Sequence, residues 1–494
     1  MCIKNLFFVF ALIVCLGLMA IDRTGAQNFT NLYDFSALHY NDVVKAGTNR
    51  DGGYPGGDLL VVGNTLYGPA YRGGSSGNGT VFRINTDGTG FSNLHSFSVT
   101  SGLLNSNTDG ARPIAGLVSS GNRLYGTTLY GGSSGAGAVF AVNTDGTSFS
   151  NLHSFGGRDG APFGGLLLWD DTLFGTTSAG TVFKINTDGT GYTILHTFSA
   201  TTTNSSGVRT NWDGAGPSAG LILSGTRLYG TAGGGGSFGN GTVFAVKTDG
   251  TDFKTIHTFA AGSGNYPYVT NNDGAFPIAG LILSGNTLYG IAEGGGSFGN
   301  GTVFAVNTNG SGFTILHTFT ALHAPNPGTN WDGADPHARL LLSNCTLYGT
   351  AVSGGSSGAG VVFKVRTDGT GFATLHNFTA TFATYPYAGP FAGLVLSGND
   401  LYGTARYGGN AANGAVYRLS LPSASPPQLG VHLSGTNVVC TWPTDAEGFT
   451  LYCTTNFAAP PVWIPVSLEP AVVNGDYAIT NPATGASRFY RLGQ

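Results

Sequence analysis

Between residues 27 and 421, hydrophobic positions recur in short β-prone runs that are separated by glycine-rich turns. The clearest copy spans residues 279–319, and turn signals such as Gly285-Asn286 and Asn309-Gly310 mark its junctions. Its four runs are residues 281–284, 288–290, 302–306 and 313–319. Neighbouring antiparallel strands need only a tight connection, so this pattern predicts a meander of four strands.

Seven copies of this pattern can be counted by their second run, which reads Leu-Tyr-Gly or Leu-Phe-Gly. These runs begin at Leu66, Leu124, Leu173, Leu228, Leu288, Leu347 and Leu401. The spacing of 49 to 60 residues between copies fits one four-stranded propeller blade and a loop.

The fourth run indicates how the copies close into a ring. Its first copy, Phe29 to Phe35, precedes every other run, and the last copy stops after its third run at residues 414–419. A last blade completed by the N-terminal strand would remove two exposed sheet edges. We therefore predict an all-β fold in which residues 27–421 form a seven-bladed β-propeller closed by the N-terminal strand.

The long loops between each fourth run and the next first run are the best candidate for a binding surface. Six of the seven loops carry Asp-Gly, and a proline lies within a few residues of it. The aspartates are Asp51, Asp109, Asp159, Asp213, Asp273 and Asp332. If these loops line one face near the axis, their carboxylates would bind an ion or sugar hydroxyls together with Trp212, Trp331 and Tyr54. The alternative is that each aspartate accepts hydrogen bonds from its own turn.

Six histidines recur in the fourth run, where the first copy has Tyr33 instead. They are His95, His153, His196, His257, His317 and His376. Equivalent positions of different blades are spread around a ring and cannot converge on one ion. We therefore predict no metal site, and we expect the histidines to bridge strands.

Departures from the repeat are the places where an active site would be expected. The third loop is short, at residues 156–160, and the sixth carries His337 and Arg339 where neighbouring copies have small or apolar residues. No catalytic residue and no cofactor motif stands out.

The two ends of the chain differ from the repeat. Residues 1–26 combine a lysine, an apolar run and a small-residue site ending at Ala26, which is typical of a secretory signal peptide. A membrane anchor and a lipoprotein signal are the alternatives. Residues 422–428 are a proline-rich linker, and residues 429–494 alternate like a small β-sandwich.

Of the five cysteines, Cys2 and Cys15 would leave with the signal peptide. Cys345 is expected to be a small buried residue. Cys440 and Cys453 flank a predicted hairpin: a pairing of Trp442 with Leu451 would permit a disulfide, whereas a pairing of Trp442 with Phe449 would leave two core thiols.

The composition of the chain limits the classes of binding partner that can be expected. Hydrophobic residues make up 41% and aromatic residues 12% of the chain, which is too apolar for a disordered protein. Charged residues make up only 9%, the formal net charge is -4, and no run of like charges occurs. Nucleic acid is therefore excluded as a partner, because its binding needs clustered Lys or Arg. No second long apolar segment follows residues 1–26, so we predict no membrane span in the mature chain.

The recurring Leu-Tyr-Gly-Thr, Gly-Gly and Gly-Thr-Val-Phe pattern resembles the Gloeo/Verruco (GloVer) tandem repeat, found in exported bacterial proteins. The resemblance covers roughly residues 27–420 and implies export, but it implies no activity. We expect a secreted or cell-surface protein that acts as a binding or surface-interaction module, with a glycan or a cell-surface component as partner. The alternative is a propeller enzyme that acts on extracellular polysaccharide.

Overall fold

The structure is a computed structural model that describes residues 27–157, 159–264, 269–324, 328–379, 389–422, 428–443, 449–455, 462–473, 476–482 and 488–493. These residues form strands and turns and contain no helix, which confirms the all-β class. Within the same ranges, therefore, nothing forms a helix long and apolar enough to cross a membrane. The predicted signal peptide and most of the predicted linker lie outside the described residues.

Each of the first six copies forms an antiparallel sheet in which the four strands of the repeat pair in chain order, and the seventh sheet takes its fourth strand from the N-terminus. We number these sheets 1 to 7. Sheets 1 to 3 consist of Leu60–Val62, Thr65–Ala70, Thr80–Asn85 and Ser92–Ser96; of Val118–Ser120, Arg123–Tyr130, Ala138–Asn143 and Ser150–Ser154, with Ala111–Pro113 added beside the second strand; and of Leu167–Trp169, Thr172–Thr177, Thr181–Asn186 and Thr193–Thr197. Sheets 4 to 6 consist of Ile222–Ser224, Arg227–Ala232, Thr242–Lys247 and Lys254–Thr258; of Ile282–Ser284, Thr287–Ala292, Thr302–Asn307 and Thr314–Thr318; and of Leu341–Ser343, Thr346–Ala351, Val361–Arg366 and Ala373–Asn377.

Sheet 7 joins the two ends of the repeat region. Val395–Ser397, Asp400–Ala405 and Ala415–Ser420 supply three strands, and Phe29–Asp34 supplies the fourth. The N-terminal strand runs antiparallel to Ala415–Ser420, with Phe29 opposite Leu419. The predicted pairing between the first and last copies is therefore present.

Successive sheets pack against each other through hydrophobic clusters, and the series is closed. The cluster between sheets 4 and 5, for example, includes Val243 and Phe304. Sheets 7 and 1 share an equivalent cluster that includes Val416 and Phe82. A central cavity of about 380 Å³ is lined by residues from all seven copies.

The packing explains the glycine of Leu-Tyr-Gly. A Cβ added at Gly290 would lie 2.5 Å from the ring of Phe304 in the neighbouring third strand. The phenylalanine of the third run therefore lies directly on this glycine, and the two motifs form one packing unit. The same relation holds in the other sheets, where Gly403 and Tyr417 form the pair in sheet 7.

The fourth strands are linked by a continuous series of stacked rings. In each copy, the histidine or Tyr33 stacks on the aromatic residue that begins the next fourth run, with centroids 3.6 to 4.0 Å apart. His376 stacks on Phe29 at 3.9 Å and so links the last copy to the first. The histidines thus bridge strands of neighbouring sheets, as predicted.

Strand direction places the connections at two opposite ends of the sheets. Each first strand runs away from its long loop, and the second strand returns. The long loops and the turns between second and third strands therefore share one end, which we call the loop face. The opposite end, which we call the turn face, carries the Asp-Gly hairpins. Two long loops contain short hairpins that the sequence did not predict, His39–Asn41 with Ala46–Thr48 and Thr202–Thr203 with Arg209–Thr210.

The C-terminal residues form two further sheets. One consists of Gly430–Ser434, Asn437–Pro443, Asp476–Pro482 and Ala471–Val473, and the other of Ile464–Pro465, Thr450–Thr454 and Phe489–Gly493. A small cluster of Cys440, Trp442, Leu451 and Ile479 joins them.

The predicted cysteine hairpin is wrong in both of its registers. Trp442 pairs with Tyr477, and Leu451 pairs with Leu492 in the other sheet. Cys440 and Cys453 are not joined by a disulfide. Burial raises the pKa of the Cys440 thiol to about 11, with a further contribution from the nearby Cys453. Cys345 also differs from expectation, because it is exposed.

Candidate functional site

The aspartates of the long loops are held inside the loop face. Asp332 has no exposed surface, and it accepts hydrogen bonds from His317 Nε2 at 2.9 Å, from the Thr320 amide at 3.0 Å and from Thr320 Oγ1 at 2.5 Å. Asp213 and Asp109 have equivalent histidine and serine donors. Because the acceptor oxygens are occupied and buried, these positions favour a structural role for the carboxylates.

The remaining aspartates follow this arrangement with variations. Asp51 accepts a hydrogen bond from Tyr33 Oη at 2.8 Å, and Asp273 accepts one from His257 at 3.1 Å. In the short third loop, Asp159 instead accepts the Gly156 amide at 2.9 Å. Within the described residues, His153 Nε2 is buried without a hydrogen-bond partner. Burial lowers the pKa of His153, although Asp159 opposes the shift.

Hydrogen bonds within the turn itself, which the alternative prediction assigned to the aspartate, are made mainly by an asparagine two positions before it. Asn330 Oδ1 accepts the Gly333 amide at 2.9 Å and the Gly355 amide at 2.9 Å. Asn49, Asn107, Asn211 and Asn271 make equivalent bonds. The sequence reading missed these residues, although Asn-X-Asp-Gly in five loops was a visible signal.

Trp212 and Trp331 lie on the surface, with 60% and 56% of their area exposed. Trp331 packs its ring edge against Phe372 at 5.3 Å and His317 at 6.0 Å. It also borders an open groove of about 600 Å³ that includes Phe298 and His323. The structure therefore presents these indoles to solvent near the buried aspartates.

Nearer the centre, each long loop ends at the mouth of the central cavity. The residue that follows the loop proline lines the cavity in all seven copies: Gly56, Ile114, Phe163, Ser218, Ile278, His337 and Phe391. The residue that precedes this proline has a positive φ in five copies, at Tyr54, Arg112, Gly216, Phe276 and Asp335. Glycine adopts this backbone conformation without steric cost, whereas tyrosine, arginine, phenylalanine and aspartate are strained by it.

One side of the mouth carries arginines stacked with tyrosines. The guanidinium carbons of Arg72, Arg112 and Arg406 lie 6.0, 5.6 and 5.3 Å from the centre of the Tyr71 ring. Arg406 also lies 5.0 Å from the ring centre of Phe391, which lines the cavity. We call Arg72, Arg112, Arg406 and Tyr71 the arginine cluster.

The other side of the mouth is acidic. His337 Nε2 lies 3.3 Å from Glu293 Oε1, and His337 Nδ1 lies 3.1 Å from the Asp335 carbonyl oxygen. Burial raises the pKa of Glu293, which Asp335 raises further and His337 opposes. Burial also raises the pKa of Asp335, against a hydrogen bond from Ser353 and the charge of His337. A carboxyl group in such surroundings is better suited to hold a proton than an exposed one.

Arg339, the second departure noted in the sequence, lines the same cavity. Its Nε lies 3.9 Å from Asp58 Oδ2, and Asp58 Oδ1 accepts the Gly393 amide at 2.7 Å. These contacts join sheets 1, 6 and 7 around the cavity, so Arg339 has a structural partner.

The sequence reading found His337 but missed Glu293 and the arginine cluster. A signal existed in the residue three positions after Leu-Tyr-Gly, which is Tyr71, Leu129, Ser178, Gly233, Glu293, Val352 or Arg406 in the seven copies. This is a strongly varied position in an otherwise regular strand end. In the described part of the chain, no group of three or more His, Cys, Asp or Glu side chains could hold a metal ion.

Solved structures that resemble the chain include oligogalacturonate lyase in complex with manganese, at 10% identity and a TM-score of 0.47, covering 82% of this chain and 95% of that one. Oligogalacturonate lyase from Vibrio parahaemolyticus matches at 9% identity and a TM-score of 0.45, covering 81% and 98%. BamB from Moraxella catarrhalis matches at 13% identity and a TM-score of 0.40, covering 79% and 91%. At these levels the likeness carries no information on ligand or reaction.

No curated protein matches the sequence. The model of the Gloeobacter/Verrucomicrobia repeat, in contrast, matches residues 20–209, 201–330 and 268–456. These matches span most of the chain and include sheets 1 to 7. The protein therefore belongs to the family of Gloeobacter/Verrucomicrobia repeat proteins.

Proposed function

We propose that the protein is an exported seven-bladed β-propeller with a small C-terminal β-sandwich, and that its loop face binds a glycan. The closed series of seven sheets and the central cavity support the propeller. The shared core of the two C-terminal sheets supports the sandwich. The predicted signal peptide supports export to the medium or the cell surface.

The positive φ values at the cavity mouth carry the proposal. In five copies the loop places a left-handed residue before its proline, and in the fourth copy this residue is Gly216. Tyr54, Arg112, Phe276 and Asp335 occupy the same position at a cost of roughly 1–3 kcal/mol each. Strain of this kind is retained where a side chain has a function, and these four lie around one opening.

The side chains available on the loop face suit a saccharide. Tyrosine and tryptophan rings offer flat apolar surfaces for sugar rings, and arginine and carboxyl groups offer hydrogen bonds to hydroxyls. Trp331 and Trp212 extend this surface outward from the mouth. We assign ligand contact to these exposed side chains and assign the buried loop aspartates the task of holding the loops in position.

The test is a glycan array probed with residues 27–494, followed by calorimetry on the strongest ligand. Tyr54→Gly should weaken binding by about tenfold, since an aromatic contact of this kind contributes about 1 kcal/mol or more. The same change should leave the free energy of unfolding within about 1 kcal/mol of wild type, because the loss of ring contacts is offset by relief of strain.

Trp169→Ala is the matched control, because Trp169 is an exposed aromatic residue, with 46% of its area accessible, at the turn face. It should not change binding. Equal losses from Tyr54→Gly and Trp169→Ala, or no array signal at all, would contradict a glycan site on the loop face.

A second candidate function is that of an enzyme acting on extracellular polysaccharide. The observation in its favour is the pair of partly buried carboxyls, Glu293 and Asp335, beside His337 at the cavity mouth. A carboxyl group with a raised pKa can serve as a general acid near neutral pH.

Release of reducing ends from candidate polysaccharides distinguishes the two functions. Under the enzyme hypothesis, Glu293→Gln and His337→Gln abolish release while binding persists. Under the binding hypothesis, a polysaccharide that binds is recovered uncut from the wild-type protein.

A further inference from the structure

We infer that the glycan bound at the loop face is anionic, and that the arginine cluster binds its carboxylate or sulfate groups. This inference rests on the proposed function and specifies its ligand class. It is carried by the electrostatics of the cluster.

Three like charges surround a single tyrosine ring. Each guanidinium carbon lies within 6.0 Å of the Tyr71 ring centre. Arg112 Nη1 also lies 3.4 Å from Tyr71 Oη. Stacking on aromatic faces stabilises each cation individually, but it does not neutralise the mutual repulsion of the three charges. An anion placed among them would do so.

Within the described residues, no carboxylate lies within 4.0 Å of any of these three arginines. Other arginines do have such a partner, as Arg227 has Asp252 and Arg366 has Asp368. Residues 380–388 of the seventh loop, which the structure does not describe, contain no Asp or Glu. Among the described residues, the cluster is therefore a positive site without a compensating carboxylate, in a chain whose formal net charge is -4.

Arg406 adds a second, independent observation. In the described part of the chain, its Nε atom is buried and has no hydrogen-bond partner. A buried donor on a charged group is costly when it is left unpaired. Arg406 also lines a cavity of about 160 Å³ with Arg72, Tyr54, Tyr71 and Tyr407. A carboxylate or sulfate oxygen in that cavity would supply an acceptor, and guanidinium groups bind both anions through paired hydrogen bonds.

The surroundings favour a saccharide anion over a nucleic acid. Nucleic acid binding uses an extended basic surface that neutralises many phosphates, whereas this cluster has three cations bordered by Glu293 and Asp335 across the mouth. The tyrosine rings beside the arginines suit the apolar face of a sugar. An acidic saccharide has both chemical features within one or two residues.

Calorimetry with four probes tests the inference. They are a hexasaccharide of a uronic acid, the methyl ester of the same hexasaccharide, a sulfated neutral hexasaccharide and its unsulfated parent. At low salt, at least one charged probe should bind about tenfold or more tightly than its uncharged partner. Binding only of the uronate, or only of the sulfated probe, supports the inference and identifies which anion is recognised.

Three variants assign the effect to the cluster. Arg112→Gln should weaken binding of the charged probe by about tenfold and leave the uncharged partner unaffected. Arg112→Lys, which keeps the charge without the planar fork, should recover part of the loss. Arg366→Gln, at the turn face, is the matched control and should change nothing. Thermal melts of the four proteins verify that each is folded.

The outcomes separate this inference from the proposed function. Equal binding of charged and uncharged probes would overturn the anionic ligand while leaving glycan binding intact. A charged preference that Arg112→Gln does not reduce would overturn the role of the cluster. Binding of none of the probes, together with a blank array, would overturn the proposed function and this inference with it.

Discussion

Replacing Asp332 by alanine tests how the long loops are held. The carboxylate is buried and accepts hydrogen bonds from His317 Nε2, the Thr320 amide and Thr320 Oγ1. Asp332→Ala leaves these three donors without their acceptor. At roughly 1–3 kcal/mol for each unsatisfied group, with partial access of water to the space, we expect a loss of about 3–5 kcal/mol in the free energy of unfolding.

Asp368→Ala is the matched control. Asp368 lies in an exposed Asp-Gly hairpin of the turn face and accepts hydrogen bonds from the Thr370 amide at 2.9 Å and from Thr370 Oγ1 at 2.7 Å. Water can replace these bonds, so its loss should be small, as for other surface substitutions. The two variants remove the same side chain and differ mainly in its burial.

Differential scanning calorimetry and denaturant titration measure the effect. With an unfolding entropy of about 2 cal/mol/K per residue over about 400 residues, 3 kcal/mol corresponds to a fall of about 4 °C in Tm. A double-mutant cycle with His317→Phe, which keeps the stack on Phe372, should show coupling with Asp332→Ala. If Asp332→Ala is no more destabilising than Asp368→Ala, or if the coupling is absent, the buried carboxylate does not anchor the loop.

Three further predictions concern sheet 7 and its contact with sheet 6. Deleting residues 27–37 removes the strand opposite Ala415–Ser420 and the Phe29 stack on His376, so Tm should fall sharply; an unchanged melt would refute closure by the N-terminal strand. Burial lowers the pKa of His376 to about 4. The unfolded chain therefore binds this proton at a higher pH than the folded protein does, and the free energy of unfolding should fall as pH drops from about 6.5 to about 4. His376→Phe should flatten that fall relative to wild type, and identical pH profiles would contradict the assignment. Tyr417 Oη is buried without a hydrogen-bond partner among the described residues, so Tyr417→Phe should raise the free energy of unfolding by about 1 kcal/mol, and a loss of stability in calorimetry would show that the hydroxyl has a partner.

Much of the architecture could be predicted because it is repeated and local. The four predicted runs of the clearest copy correspond closely to four observed strands. Residues 281–284, 288–290, 302–306 and 313–319 were predicted, and the strands are Ile282–Ser284, Thr287–Ala292, Thr302–Asn307 and Thr314–Thr318. Tight hairpins leave adjacent strands few alternative pairings, and seven copies of the pattern support the same strand assignment. The isolated Phe29 to Phe35 run also indicated its partner, since a lone fourth strand needs an edge.

The C-terminal residues show where this reasoning ends. Cys440 and Cys453 flank a single stretch that reads as a hairpin, but their strands belong to different sheets. Alternation along a strand specifies which face is buried and does not specify the neighbouring strand. Without a repeat to compare, the sequence left two registers open, and neither occurs.

The candidate site divides in the same way. The sequence alone determined the strands, the turns, the loops that reach one face and the departure at His337, because these depend on periodicity and on residues near one another in the chain. Only the tertiary structure decided that four of the six loop aspartates are buried and that Arg72, Arg112 and Arg406 meet at Tyr71. These arginines come from sheets 1, 2 and 7, which closure of the ring makes neighbours, and no pattern along the chain records contacts between residues more than 300 positions apart.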